Sequence, residues 1–499
     1  MDILGFLITL LSIILIVAVV LVSAYSLFII HKRSKYSHLP CPQPVSFFLG
    51  HASALKKYSD EHGNFEVILC DWAQKYGNTY VLFMLHNVFV ITCNPDNVKE
   101  LLVTGNFPKS ERYNQVANVF GNRIFGQGLV TEINHDVWMV RRLGLNPAFN
   151  RGVLKELMME FNTTANELVR YLGIHADKKD TIEIASYLHK ATLDVIGRVG
   201  FGKDLGCFEE GESARFSSAI FDMMFIFNES IRDPLLMLPF RGRDYKVRLK
   251  KSVDYLRNIG KKWMHERRAA IERGDYVPDD ILSYLVKLND HDDILLDDIM
   301  TLFIAGQETT ANTTSFMLME MGRQPEVLKK MYDEVDEVIG QKPHLTSEDI
   351  SKLEYLNMVW KETLRLYAVA PVTFRDVNRD DYKIDGYEVP RGSMVMMSSF
   401  ISSRNPEFVP DPLTFKPERF APDSPDKPNT YAYFPFSLGP RNCIGQTFAL
   451  MEGKVLIAKF LQNFKYELDP NQSFKIQESV TLRPQGGVKS TISWRSNTN

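Results

Sequence analysis

A basic surface for nucleic acid is missing from this 499-residue chain: the formal net charge is −3, which points to no polyanionic partner. Cysteine is scarce. Its five copies, Cys41, Cys70, Cys93, Cys207 and Cys443, are scattered, odd in number and without any C-x-x-C pair. That pattern argues against a disulfide framework and a zinc site, and fits a reducing compartment. A nucleotide-binding glycine fingerprint is also absent, because Gly197, Gly200, Gly202 and Gly206 do not fall at G-x-G-x-x-G. No internal repeat or long low-complexity tract divides the chain. What remains, at 45% hydrophobic and 24% charged residues, is the composition of a globular protein with a large core.

Charge is missing again from Ile3 to Ile30, a run dominated by Leu, Ile and Val. About 20 apolar residues cross a bilayer, so this run suffices with some tilt. A cleaved signal has a shorter apolar core preceded by positive charge; here Asp2 precedes the run, and Lys32, Arg33 and Lys35 follow it. The expectation is a retained single-pass anchor over residues 1–32, with the bulk of the chain on the cytosolic side. The proline-rich stretch Leu39-Pro40-Cys41-Pro42-Gln43-Pro44 reads as a stiff linker over residues 33–47. Residues 48–499 then form one catalytic domain.

Tyr80 to Thr92, rich in β-branched and aromatic residues, predicts a hairpin turning at His86-Asn87. Mostly helical periodicity follows to about residue 370. Strand-like stretches return at Tyr382–Val395, Val480–Leu482 and Lys489–Trp494. The fold class expected is mainly α with a small β region and a single N-terminal transmembrane helix.

Chemistry concentrates in Phe436-Ser437-Leu438-Gly439-Pro440-Arg441-Asn442-Cys443-Ile444-Gly445. An apolar run from Phe448 to Phe460 follows, so a helix is expected to begin at Cys443. There the unpaired N–H groups and the dipole favour a thiolate, one of the few side chains that holds haem iron axially. Gly439 permits a left-handed turn, and Gly445 lets backbone approach a porphyrin. Arg441 can pair with a propionate, and Phe436 can shield the sulfur. The string F-x-x-G-x-R-x-C-x-G resembles the haem-binding loop of the cytochrome P-450 superfamily, and the segment from Leu39 resembles the proline hinge of its membrane-bound members.

Other motifs extend that resemblance in order along the chain. Trp138 and Arg142, four apart on one helix face, resemble a W-x-x-x-R pair that donates to a haem propionate; Arg141 is then expected to face outward as a docking charge for an acidic electron donor. Asp292–Arg323 reads as one long helix carrying Ala305-Gly306-Gln307-Glu308-Thr309-Thr310, which resembles the oxygen-activation motif. Ala305 lets a flat cofactor lie close. Gly306 and a back-bonded Thr309 are expected to loosen the helix. Cleaving dioxygen requires two protons, which Thr309 can orient and Glu308 can relay. Glu362, Arg365 and Arg419 resemble the buried E-x-x-R and P-E-R-F network, and Arg375 is a further propionate partner.

The runs Phe120–Val130, Phe303–Gly306 and Glu334–Gly340 are similar to the sterol side-chain hydroxylases of the superfamily. By that resemblance the pocket is lined by Tyr113, Val116, Phe125, Val130, Ala305, Val372, Phe374 and Thr481. Leu366 to Phe374 departs from the Tyr-Pro-Pro and bulky aromatic residue of those enzymes, and its smaller residues imply a wider pocket or a different carbon meeting the iron. The resemblance implies haem b with an axial cysteine thiolate in an endoplasmic-reticulum-anchored monooxygenase. Dioxygen, a lipophilic substrate and an NADPH–cytochrome P-450 reductase that binds the NADPH complete its partners. A xenobiotic or fatty-acid oxidase, a haem-thiolate isomerase or dehydratase, and a non-enzymatic lipid- or haem-binding protein are the alternative readings.

Overall fold

The computed structural model describes residues 3–209, 212–233, 236, 238, 240–288, 291–478 and 480–495. Its organising element is the helix Asp292–Arg323. No proline interrupts it, Asp292 and Asp293 complement the dipole in its first turn, and Gln324, held extended ahead of Pro325, ends it. Helices Ile184–Val195, Arg243–Glu272, Glu354–Leu366 and Gln446–Asn463 pack around it. From Leu295 to Met321 every residue of this helix is buried except Ala305, Gly306 and Thr309.

Beside the helices stands a four-stranded sheet ordered Thr79–Met84, Asn87–Thr92, Met394–Ser398, Val372–Asp376. Its middle pair is parallel and the outer pairs antiparallel. The first hairpin pairs Met84 with Asn87, so its turn is Leu85-His86, one residue earlier than expected; Leu85 takes the positive φ of 57°. Lys489–Trp494 is a strand as expected, paired with Phe464–Leu468. Within Tyr382–Val395 only Lys383–Ile384, Tyr387–Glu388 and the start of Met394–Ser398 pair, and Val480–Leu482 precedes the short strand Arg483–Pro484 instead of forming one. Alternation alone does not reveal which short runs find a partner.

The N-terminal helix Ile3–Ser34 is long and apolar enough to cross a membrane. The stretch after it, expected as a linker, is docked rather than free. Tyr36 and Leu39 are buried against Val81, Val90 and Met397, and Pro40 accepts a 2.9 Å hydrogen bond from the Val81 N–H. Arg33 donates to the Ser46 and Leu85 carbonyls at 3.2 and 3.1 Å. Apolar side chains ahead of the prolines and these hydrogen bonds hold it down.

Candidate active site

The loop before Gln446–Asn463 folds back on itself. The Cys443 N–H donates to the Phe436 carbonyl at 2.8 Å, while Ser437 and Gly439 take φ of 58° and 70°. A Cβ on Gly439 would overlap the Leu102 carbonyl oxygen, so side-chain size as well as φ demands glycine there. At Gly445 a Cβ would meet only the Cys443 sulfur, at 3.8 Å, and otherwise open space. The helix begins at Gln446, not at Cys443. The thiol therefore precedes the first turn, where it accepts from the Gly445 N–H.

Cys443 differs from the buried thiols. Its surface is accessible although protein crowds it, the mark of an atom lining an interior cleft. Burial pushes its thiol up rather than down, and the Gly445 N–H and the Arg142 charge only partly offset that. Cys70, Cys93 and Cys207 are closed in, and burial raises them too. Of the set, Cys443 is the one an incoming cation can reach and hold as thiolate.

Arg142 locks the loop from outside, with Nη1 and Nη2 on the Asn442 carbonyl and side-chain oxygens at 2.7 and 2.9 Å and Nε on Asn146 at 2.9 Å. Trp138, also buried, lies beneath the Arg441 guanidinium at 4.1 Å. Arg141 does not face outward. It is buried, with salt bridges to Glu132 at 3.2 Å and Asp298 at 3.1 Å, and the helix exposes His135, Asp136, Val137, Val140 and Leu143 instead.

Three cations gather near Trp138. Arg441 donates to the Glu132 carbonyl at 2.5 Å, and burial together with Arg375 lowers it to about 10. Arg375 is buried and donates to the Phe374 carbonyl at 2.9 Å and to Thr373 at 3.4 Å. Lys109, bridged to Arg375 through the backbone, lies 4.1 Å over the Tyr113 ring; burial and the two arginines push it well down. Sequence reasoning misses Lys109, which reaches Arg375 through that isolated bridge. Among the described residues none of the three is ion-paired, and the Glu132 carboxylate is engaged by Arg141. Buried and half-buried cations whose neighbouring carboxylate, Glu132, is already held by Arg141 call for an anionic ligand.

On the central helix, Thr309 Oγ1 donates to the Ala305 carbonyl at 2.8 Å as expected, yet the helix continues unbroken through Gly306. The groove comes from small side chains, not from unwinding. Glu308 is buried and its Oε1 accepts from Thr481 at 2.8 Å; Thr481 in turn accepts from Asn312 at 2.9 Å. Burial raises the Glu308 carboxyl, with Thr481 and Arg483 partly opposing. Thr481, expected as pocket lining, instead has its hydroxyl committed to Glu308. Gln307 is tied to His189 at 2.7 Å.

Glu362, Arg365 and Arg419 are brought together with no exposure. Arg365 Nε meets Glu362 at 2.7 Å, and Arg419 Nε lies 3.4 Å from the same carboxylate. Of the remaining pocket candidates, Phe125 is buried against Phe227, Val130 is exposed, and Tyr113, Val116, Val372 and Phe374 are half-buried. Tyr367, Ala368 and Val369 are buried, with Tyr367 stacked on Phe316 at 4.2 Å. Of the departing segment, then, Ala370 and Val372 to Phe374 are what keep accessible surface.

An accessible thiol in a glycine-shaped loop, a small-residue groove on the central helix and a cluster of unbalanced cations together fit haem: the sulfur for iron, the cations for the propionates, the groove for the flat ring. They define a haem-thiolate class of protein. The Cytochrome P450 family model matches residues 39–490. The chain is 29% identical over 483 residues to Cytochrome P450 3A11 of Mus musculus, covering 91% of each chain. It is 31% identical over 386 residues to Cytochrome P450 4V2 of Mus musculus, 73% of each, and 30% identical over 420 residues to the Homo sapiens protein of that name, 79% of this chain and 78% of that one. The chain belongs to the cytochrome P450 family and is a monooxygenase of that family. Haem with a cysteine thiolate, a lipophilic substrate, dioxygen and a redox partner come with that membership.

Proposed function

We propose that the chain hydroxylates a sterol as an endoplasmic-reticulum-anchored haem-thiolate enzyme, in which Cys443 would hold the iron and Lys109, Arg375 and Arg441 would pair with the propionates. The observation that carries the haem assignment is the accessible Cys443, two residues from Arg441 in a cation cluster that has no ion pair among the described residues. When bound, haem supplies reductive activation of dioxygen and insertion of one oxygen atom into a C–H bond.

The chain's own residues prepare that chemistry. Gly445 N–H and Arg142 favour the sulfur's anionic form. Thr309 spends its proton on the Ala305 carbonyl, which leaves its oxygen able to accept from water in the groove. Glu308, kept protonated to higher pH by burial, holds a proton beside it; a rotation that releases Thr481 hands that proton towards Thr309. Electrons come from a separate NADPH-dependent reductase, since the chain carries no G-x-G-x-x-G. Ile3–Ser34, with His31, Lys32 and Arg33 in its last turn, supports single-pass anchoring with the catalytic domain in the cytosol.

Support for the sterol class is the resemblance of Phe120–Val130, Phe303–Gly306 and Glu334–Gly340 to cholesterol 24-hydroxylase. The experiment is a cholesterol titration of the ferric holoenzyme followed at the Soret band. A saturable low-spin to high-spin shift, with a hydroxysterol formed when reductase is added, is expected. No shift in a sample with an intact carbon monoxide thiolate spectrum rejects the sterol class. A panel of fatty acids and xenobiotics then tests the alternative.

A further inference from the structure

The junction between the N-terminal helix and the catalytic domain turns on a histidine that the haem site does not use. His51 stands just ahead of helix Ala52–His62, yet its side chain does not cap that helix. The residue has no exposure. Its Nε2 meets the Pro42 carbonyl of the linker at 2.8 Å, and the Phe83 N–H of strand Thr79–Met84 donates to its Nδ1 at 2.9 Å. An acceptor at Nδ1 leaves the one ring proton on Nε2, which makes Nε2 the donor to Pro42. The main chain repeats the tie, with the His51 N–H on the Phe83 carbonyl at 2.7 Å. Gly50, at φ 64°, allows that approach, because a Cβ there would overlap the same carbonyl.

The N-terminal helix reaches the same place. Arg33, in its last turn, lies 4.9 Å over the Phe83 ring, on which the imidazole is stacked at 5.8 Å. Trp72, from helix Glu66–Tyr76, closes on the imidazole at 5.2 Å. Linker, helix end and sheet therefore meet at two stacked side chains, His51 and Phe83.

Only a neutral imidazole fits this joint. A second ring proton, on Nδ1, would face the Phe83 N–H donor against donor, in a place closed to water. Burial keeps the ring below its ordinary value of 6.5; Arg33, the one charged group acting on it, opposes a second positive charge, and the backbone bonds offset only part of this. Cys41, beside Pro42, is pushed up by burial and stays neutral, while the facing strand and helix present Phe83 and Trp72. An imidazole released into water takes its proton at the ordinary value. Below 6.5 the open joint binds a proton that the closed joint refuses, so closure is full above 6.5 and weakens as pH falls through it.

We propose that His51 is a proton-sensitive clasp: neutral, it fixes the linker and the end of the N-terminal helix to the catalytic sheet; protonated, it lets both come away. With that helix in a membrane, as proposed above, release lets the catalytic domain swivel on its anchor. The clasp and its test need neither the membrane nor the sterol reading.

The test is hydrogen–deuterium exchange of the full-length ferric holoenzyme in phosphatidylcholine nanodiscs at about pH 7.5 and about pH 5.5, each rate divided by the intrinsic rate at that pH. One unit below 6.5, a proton taken only by the open joint favours opening by about tenfold. Exchange over residues 38–50 and 79–84 is expected to rise by that factor in the wild type, with the central helix unchanged. H51Q keeps a donor for the Pro42 carbonyl but takes no charge, so the acid step should vanish there whatever its level at neutral pH. Where H51Q does not retain the carbon monoxide thiolate band, H51N, which keeps an acceptor for the Phe83 N–H, takes its place. A wild-type step below about twofold, an equal step in the variant, or a step shared by the central helix overturns the proposal.

Discussion

Two clusters of charge drawn out of water are solved in opposite ways in this protein. Glu362, Arg365 and Arg419 close on one another, and the leftover guanidinium donors go to the Ser403, Pro412 and Thr414 carbonyls at 3.0, 2.6 and 3.1 Å. Lys109, Arg375 and Arg441 are also withdrawn from water but repel one another. The first cluster carries its own carboxylate, which both guanidiniums share. The second becomes favourable only when an anion joins it. A carboxylate inside the cluster, more than burial or the presence of arginine, separates a structural network from a ligand site. A third solution is visible at Glu66, which is buried and near Ser398 at 3.4 Å. Burial pushes it up to about 8, so it keeps its proton.

The comparison can be broken first at the cluster with its own carboxylate. Glu362→Gln leaves two guanidiniums buried without a counter-charge, at a cost of about 3–5 kcal/mol; the expected result is a chain that purifies without haem and melts early. A variant that still melts like wild type would show that the network is dispensable. At the unbalanced cluster the sign should change with the ligand. Arg375→Met is expected to weaken haem by about tenfold or more, since a charge-assisted hydrogen bond is removed. The same substitution should leave the haem-free chain as stable as wild type or more so. Haem transfer to apomyoglobin measures the first effect and thermal melts the second.

The smallest effect concerns the protonated solution. Glu66 has a folded-state value raised from 4.5 to about 8, so its contribution to stability is full below 4.5 and lost as pH rises through 8. Glu66→Gln should match wild type at acid pH and gain on it steadily between those limits. The gain should stay constant above them. A difference independent of pH would mean that Glu66 is ionised in the fold.

Much of this is legible from residue order. The central helix runs over the residues its proline-free pattern predicts, and Glu362, Arg365 and Arg419 meet as their motifs imply. What residue order does not carry is direction and distant company. Arg141 sits one residue from Arg142, yet it turns inward because Asp298, far along the chain, supplies a buried carboxylate. Lys109 joins the cation cluster through a single isolated bridge, which leaves no periodic trace. Thr481 looks like one more pocket residue until its hydroxyl is found on Glu308. A helix start at Cys443 would acidify its thiol, but the helix begins three residues later, and burial outweighs the N–H that remains.

The most direct test of the internal-carboxylate account compares reconstitution with protohaem and with its dimethyl ester, which keeps the ring and iron but removes the anions. Wild type is expected to prefer protohaem by about 100-fold, the scale of two charge-assisted hydrogen bonds. In the double variant R375M/R441M that preference should fall below about tenfold, with the ester bound as before. An equal preference in both proteins would contradict the account and place the propionates elsewhere.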